Sequence, residues 1–152
     1  MEEKSTTASA IISFAENLED SSARFYRELA DRFGNDRETF SSFANESEKN
    51  KLLVTRTYQE TITDALEACF SFKGLDQSRY LTSTDLTPDA GYSTALKTAI
   101  ELEDKASEFY FCVAEMSRSL LATIPRAFKT VAERRRNRKS VLKALLDKVS
   151  QK

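Results

Sequence analysis

Two glutamate–tyrosine pairs carry the chemistry that can be read most directly from this chain: Glu19 with Tyr26, and Glu103 with Tyr110. In each pair the tyrosine follows seven positions after the glutamate, two helical turns on and nearly on the same face. Carboxylates and phenols facing inward can ligate a hard metal, move a proton, or simply satisfy each other inside a core. Arg135 and Arg138 form a second motif, two permanent positive charges three residues apart, each able to match a carboxylate bidentately. Further carboxylates stand close by at Glu16, Glu46, Glu48 and Glu133. The chain has no histidine. His-dependent catalysis, haem ligation by histidine and the usual zinc or di-iron ligand sets are thereby excluded.

Helices must position these groups. Apolar residues recur at helical spacing over about 6–33, 36–72, 93–117 and 124–149. Ser5 to Thr7 offer N-caps for the first helix and Gly34 a stop; Asp36 offers a cap for the second. Gly74 ends the second, Ser93-Thr94 cap the third, and Pro125 suits the first turn of the fourth. The stretch 75–92 lacks helical period and contains Thr87-Pro88-Asp89 and Gly91. A loop this long inside a compact domain asks for a reason. At roughly 3.3 Å per residue it can span about 60 Å, enough to run the length of a bundle and leave helices 2 and 3 parallel.

Composition agrees with an all-α class. Of 152 residues, 40% are hydrophobic and 31% charged, enough for one domain with a real core. Three glycines and two prolines are too few for a turn-rich β fold. No apolar run reaches the roughly 18 residues of a membrane span, and the N-terminus does not read as a signal peptide. Cys69 and Cys112, far apart and outside any CxxC spacing, suit buried structural thiols in a reducing compartment, so a cytoplasmic location is expected.

An internal repeat divides the chain in two. Leu18-Glu19-Asp20, Phe25-Tyr26 and Ala30 recur at an offset of 84 as Leu102-Glu103-Asp104, Phe109-Tyr110 and Ala114. Phe40, Phe43 and Ala44 recur at an offset of 88 as Phe128, Val131 and Ala132. The expected architecture is one domain over 1–152, with hairpin 1 at about 6–72, a crossover at 75–92 and hairpin 2 at about 93–149.

Core seams drawn at alternating spacings of three and four turn polar at mid-length. Helix 1 gives Ile12, Ala15, Glu19, Ser22, Tyr26, Leu29 and Phe33; helix 3 gives Leu96, Ala99, Glu103, Ala106, Tyr110 and Val113. Helix 4 gives Ile124, Phe128, Val131, Arg135, Arg138 and Leu142, continuing to Leu145 and Val149. Helix 2 admits two seams, one through Phe43, Ser47 and Asn50, the other through Ala44, Ser47 and Lys51. A lone glutamate on an apolar stripe usually reaches out to water. Four helices turning polar at one height point instead to a buried layer, because a buried charge needs a partner.

The paired Glu-x6-Tyr motifs resemble the first and third helices of rubrerythrin-like members of the ferritin-like superfamily. That resemblance covers all but the crossover and the last residues, and implies a ferritin-like four-helix bundle with one long crossover between helices 2 and 3. Such proteins hold two irons with one Glu from each of those helices and a Glu-x-x-His from each of the others. The corresponding positions here are Ser47 and Asn50 on helix 2, Arg135 and Arg138 on helix 4. Arginine does not give up its proton to bind a metal. The sequence therefore resembles a rubrerythrin whose metal site is replaced by a structural layer of Glu19, Glu103, Arg135, Arg138, Tyr26 and Tyr110, with no catalytic residue and no cofactor expected.

Three functions fit. The first is a non-catalytic bundle that acts as a homodimer or through an unknown protein partner, as ten Phe and five Tyr would permit. The second is an oxidoreductase with iron or manganese on an atypical carboxylate site using Glu16, Glu19, Glu46, Glu48 and Glu103. The third is a binder of an anionic partner: residues 126–152 hold ten Lys or Arg against Glu133 and Asp147, a net of +8 in a chain of −1. In the run from Arg134 to Lys139, Arg134, Arg136 and Lys139 are expected to be largely solvated. No aromatic interleaving marks a nucleic-acid reader, and nucleic acid and membrane are not expected partners.

Overall fold

The computed structural model describes residues 5–61, 71–73, 75–117 and 123–150. Four long helices dominate it: α1 (Ala8–Arg32), α2 (Arg37–Thr61), α3 (Tyr92–Met116) and α4 (Thr123–Ser150). None of the described helices is long and apolar enough to cross a membrane.

The helix ends show what periodicity could not. Thr7 caps α1, its hydroxyl accepting from the Ala10 amide at 3.2 Å. At the other end α1 closes on Phe33, whose amide donates to the Leu29 carbonyl, and Gly34–Asp36 form a 3-10 turn leading directly into α2. Asp36 is therefore not a free cap; its carboxylate accepts from the Tyr92 hydroxyl at the start of α3. Gly91, not Ser93 or Thr94, precedes α3, with no side-chain cap.

The expected second helix over 36–72 is too long. The described helix stops at Thr61, and Ser71–Lys73 form a strand, β2, antiparallel to β1 (Ser5–Thr7). Three residues paired with a segment more than sixty positions away leave no periodic trace. The part of the expected helix over 62–70, including Cys69, and Gly74 lie outside the described residues. Cys112 is a free thiol, half-buried rather than buried, with its Sγ 3.7 Å from the Met116 sulfur.

One hydrophobic core draws on all four helices. Between α1 and α2, Asp20 meets Lys51 while Arg27 meets Glu48, so positions rise on one helix as they fall on the other. The same holds between α3 and α4, where Asp104 meets Lys139 and the Tyr110 ring meets Phe128. The seams of α1, α3 and α4 are buried as expected except Phe33, Leu145 and Val149, which are half-buried. On α2 the buried line is Phe40, Ala44, Ser47, Asn50, Val54 and Thr57, a hybrid of the two candidate seams. Its switch of spacing brings both Ser47 and Asn50 inside, leaving Phe43 and Lys51 at the flanks.

Candidate functional site

At mid-height the four seams supply a closed polar layer. Glu19, Ser22, Ser47, Asn50, Glu103 and Arg135 are fully buried and Arg138 is 1% exposed. Such charges survive burial only when paired and hydrogen-bonded.

Arg135 stands at the centre. Its Nη1 donates to both oxygens of Glu103 at 2.7 and 3.0 Å, and its Nη2 donates to Glu19 and to the Ser22 hydroxyl, the latter at 3.0 Å. One planar guanidinium thus bridges the carboxylates of α1 and α3. Arg138 reaches the same layer from the next turn, donating to Ser47 at 2.9 Å, Glu103 at 3.3 Å and Glu46 at 2.8 Å. Its guanidinium also lies 5.8 Å from the Tyr26 ring and 5.6 Å from that of Phe43, within cation–π range.

The tyrosines cross over. Tyr26 of α1 donates to Glu103 of α3 at 2.7 Å, and Tyr110 of α3 donates to Glu19 of α1 at 2.8 Å. Burial pushes both phenols well above the usual tyrosine range, and the carboxylate each one faces pushes further in the same direction. For Arg135 burial works against the charge, but Glu103 and Glu19 outweigh it and hold the guanidinium proton well above its ordinary affinity. These groups stay as phenols and a guanidinium cation.

Hydrogen bonds repeat at the offsets found in the sequence. Tyr26–Glu103 maps onto Tyr110–Glu19, and Lys51–Asp20 onto Lys139–Asp104. Asn50 on Glu19, at 3.1 Å, maps onto Arg138 on Glu103. The pair Arg138–Glu46 maps onto Arg134–Asn50, with the charges redistributed. Arg27–Glu48 maps onto Arg136 stacked 4.5 Å over the Phe111 ring. The repeat is a pseudo-twofold in space. Arg135 breaks it: no arginine faces it from α2, where Ser47 holds the equivalent place.

Two residues play parts that the sequence did not suggest. Arg134, expected in solvent, is half-buried and donates to the Asn50 carbonyl oxygen at 2.9 Å. Glu46, weighed above only as a candidate metal ligand, meets Arg138 at the layer's edge while remaining 35% exposed. The offset of 88 relates these two positions, so the repeat contained the signal. Lys139 is also half-buried, on Asp104, rather than solvated; Arg136 is exposed as expected.

The donor set does not fit a di-iron pair. Between Glu19 and Glu103, where a bridging cation would have to sit, the Arg135 guanidinium satisfies both carboxylates. Glu48 is at the surface on Arg27, Glu46 is on Arg138, and Glu16 is half-buried one turn before Glu19. Among the described residues no three of His, Cys, Asp or Glu gather into a group that could hold a metal ion. Two guanidinium nitrogens, Arg135 Nε and Arg138 Nη2, are buried without a protein partner. Their surplus is of donors, which favours an acceptor rather than a cation. No protein family profile, curated protein or solved structure matches the chain.

Proposed function

We propose that this chain is a ferritin-like four-helix bundle in which a buried Glu/Arg layer takes the place of a di-iron site. Its role is structural and partner-binding, without catalysis at the layer. The observation that carries this reading is Arg135, which bridges Glu19 and Glu103 where a metal would otherwise neutralise them. Helix directions support the ferritin-like connection. The crossed Tyr26–Glu103 and Tyr110–Glu19 bonds run α1 against α3, as Asp20–Lys51 and Arg27–Glu48 run α1 against α2. Helices α2 and α3 then point the same way, and a crossover through residues 75–91 joins their opposite ends.

The fourth helix turns four of its nine basic residues inward: Arg134, Arg135, Arg138 and Lys139 all have protein partners. That use of charge favours neutralisation within the bundle over the capture of a polyanion. The function then rests with the surface, in a homodimer or with a protein partner, in the cytoplasm; the free Cys112 thiol suits that compartment.

Elemental analysis of the purified chain tests the reading. It should contain no stoichiometric iron or manganese, whereas the combination of Ser47→Glu, Asn50→His, Arg135→Glu and Arg138→His should bind one of them. Stoichiometric metal in the unmodified protein would overturn the proposal, and sedimentation velocity would decide the dimer.

A further inference from the structure

The crossover leans on α3 and leaves a cleft against α1. Tyr80 packs on Phe109 at 5.6 Å between ring centres, and Lys105 donates to the Leu81 carbonyl at 3.0 Å. On the α1 side the same segment is held by Gln77, whose amide donates to the Ala10 carbonyl at 3.4 Å. Between them opens a cleft of about 350 Å³, walled by Phe14 and Leu18 of α1, Leu102 of α3 and the segment Tyr80–Thr82. This size lies at the small end of the range for small-molecule sites. Leu81, at the rim, is 60% exposed.

The polar lining of the cleft comes from Asn17, Asp20, Ser21 and Arg24 of α1 and Thr82 of the crossover. Arg24 lines it, and unlike Arg27 and Arg32 on the same helix it has no ion-pair partner among the described residues. The Thr82 hydroxyl is buried in the same wall without a partner. Asp20, the one carboxylate present, is engaged by Lys51. A free guanidinium and an unused hydroxyl beside a phenylalanine and two leucines are complementary to one anionic head on a compact apolar body. Asp20 disfavours a second negative charge.

We propose that this cleft binds a small monocarboxylate with an apolar body, its carboxylate held by Arg24 and Thr82 and its body lying on Phe14, Leu18 and Leu102. The site shares no residue with the buried layer.

Octanoate is a suitable probe, with octyltrimethylammonium as the cationic control. Calorimetric titration of the full chain should show saturable one-to-one binding, and amide shifts in NMR spectra should centre on Ser21, Leu81, Thr82 and Leu102. Arg24→Gln should weaken octanoate about tenfold, the scale of one charge-assisted contact at a partly solvated site, and Thr82→Val should weaken it less. Both positions lie outside the core layer, so unchanged circular dichroism should accompany both variants. Absence of saturable binding would overturn the proposal. So would equal binding of the ammonium control, equal affinity in Arg24→Gln, or amide shifts centred elsewhere.

Discussion

The Tyr26 hydroxyl donates to Glu103 across the bundle at 2.7 Å, so a residue of the first hairpin completes the buried carboxylate of the second. Its repeat mate, Tyr110 on Glu19, returns the bond in the other direction at 2.8 Å. Two hairpins tied by reciprocal bonds can dock in only one register without stranding a phenol and a carboxylate together. The layer thus sets how the halves meet as well as neutralising itself.

Removing the central cation should be costly. Arg135→Met leaves Glu19 and Glu103 buried beside each other without their shared partner, and should lower unfolding free energy by about 3–5 kcal/mol in urea titrations. Lys129→Met, at an exposed position on the same helix, should change it by less than about 0.5 kcal/mol. Equal small effects would mean that the layer does not form.

Removing the layer as a whole should not be costly. Glu19→Leu, Glu103→Leu, Arg135→Met and Arg138→Met, combined with Tyr26→Phe, Tyr110→Phe, Ser47→Ala and Asn50→Leu so that no partner of the lost charges is stranded, remove the large desolvation penalties together. Stability equal to the parent, or higher by about 1–4 kcal/mol, is the expected result in the same titration. A loss as large as that of Arg135→Met alone would show that the charges contribute net stability.

The phenol bonds should be nearly equivalent. Tyr26→Phe and Tyr110→Phe each delete one hydrogen bond to a charged acceptor, an expected loss of about 1.5–3 kcal/mol apiece. Because the pseudo-twofold relates them, thermal melts should rank the two variants close together. A large inequality would mean that Arg135, which breaks the symmetry, dominates the local energetics.

Alkaline pH should unfold the protein through its tyrosines. In the unfolded chain tyrosine ionises near pH 10, whereas Tyr26 and Tyr110 resist ionisation well beyond that in the fold. Tyr80 shifts to about 12, mainly by burial and then by its hydrogen bond to Cys112. A raised folded value means the native state keeps protons that the unfolded state releases. The associated stability is complete below about pH 10 and is lost as pH rises above it. Phenolate absorbance should appear together with loss of helical circular dichroism, and the double variant Tyr26→Phe, Tyr110→Phe should depend less steeply on pH over that range. Gradual ionisation of Tyr26 and Tyr110 with the helices intact would contradict their burial.

The sequence by itself determined the helical class, the buried lines of α1, α3 and α4, and the residues of the polar layer. Each of these is local: a 3.6-residue period selects one face, and a charge on that face must find another charge. The repeat made the reciprocal Glu–Tyr bonds legible too, since equal spacing on two helices places equal groups at equal heights. Only tertiary structure decided the rest. Asn50 and Ala44 both enter the core because α2 packs against α1 on one side and α4 on the other, a choice that its own ambiguous pattern did not contain. Arg134 and Glu46 join the layer from its flanks because their partners, Asn50 and Arg138, sit on facing helices within side-chain reach. The strand pair of Ser5–Thr7 with Ser71–Lys73 joins segments whose partners are distant in the chain, and distance in sequence erases the periodic signal that revealed the helices.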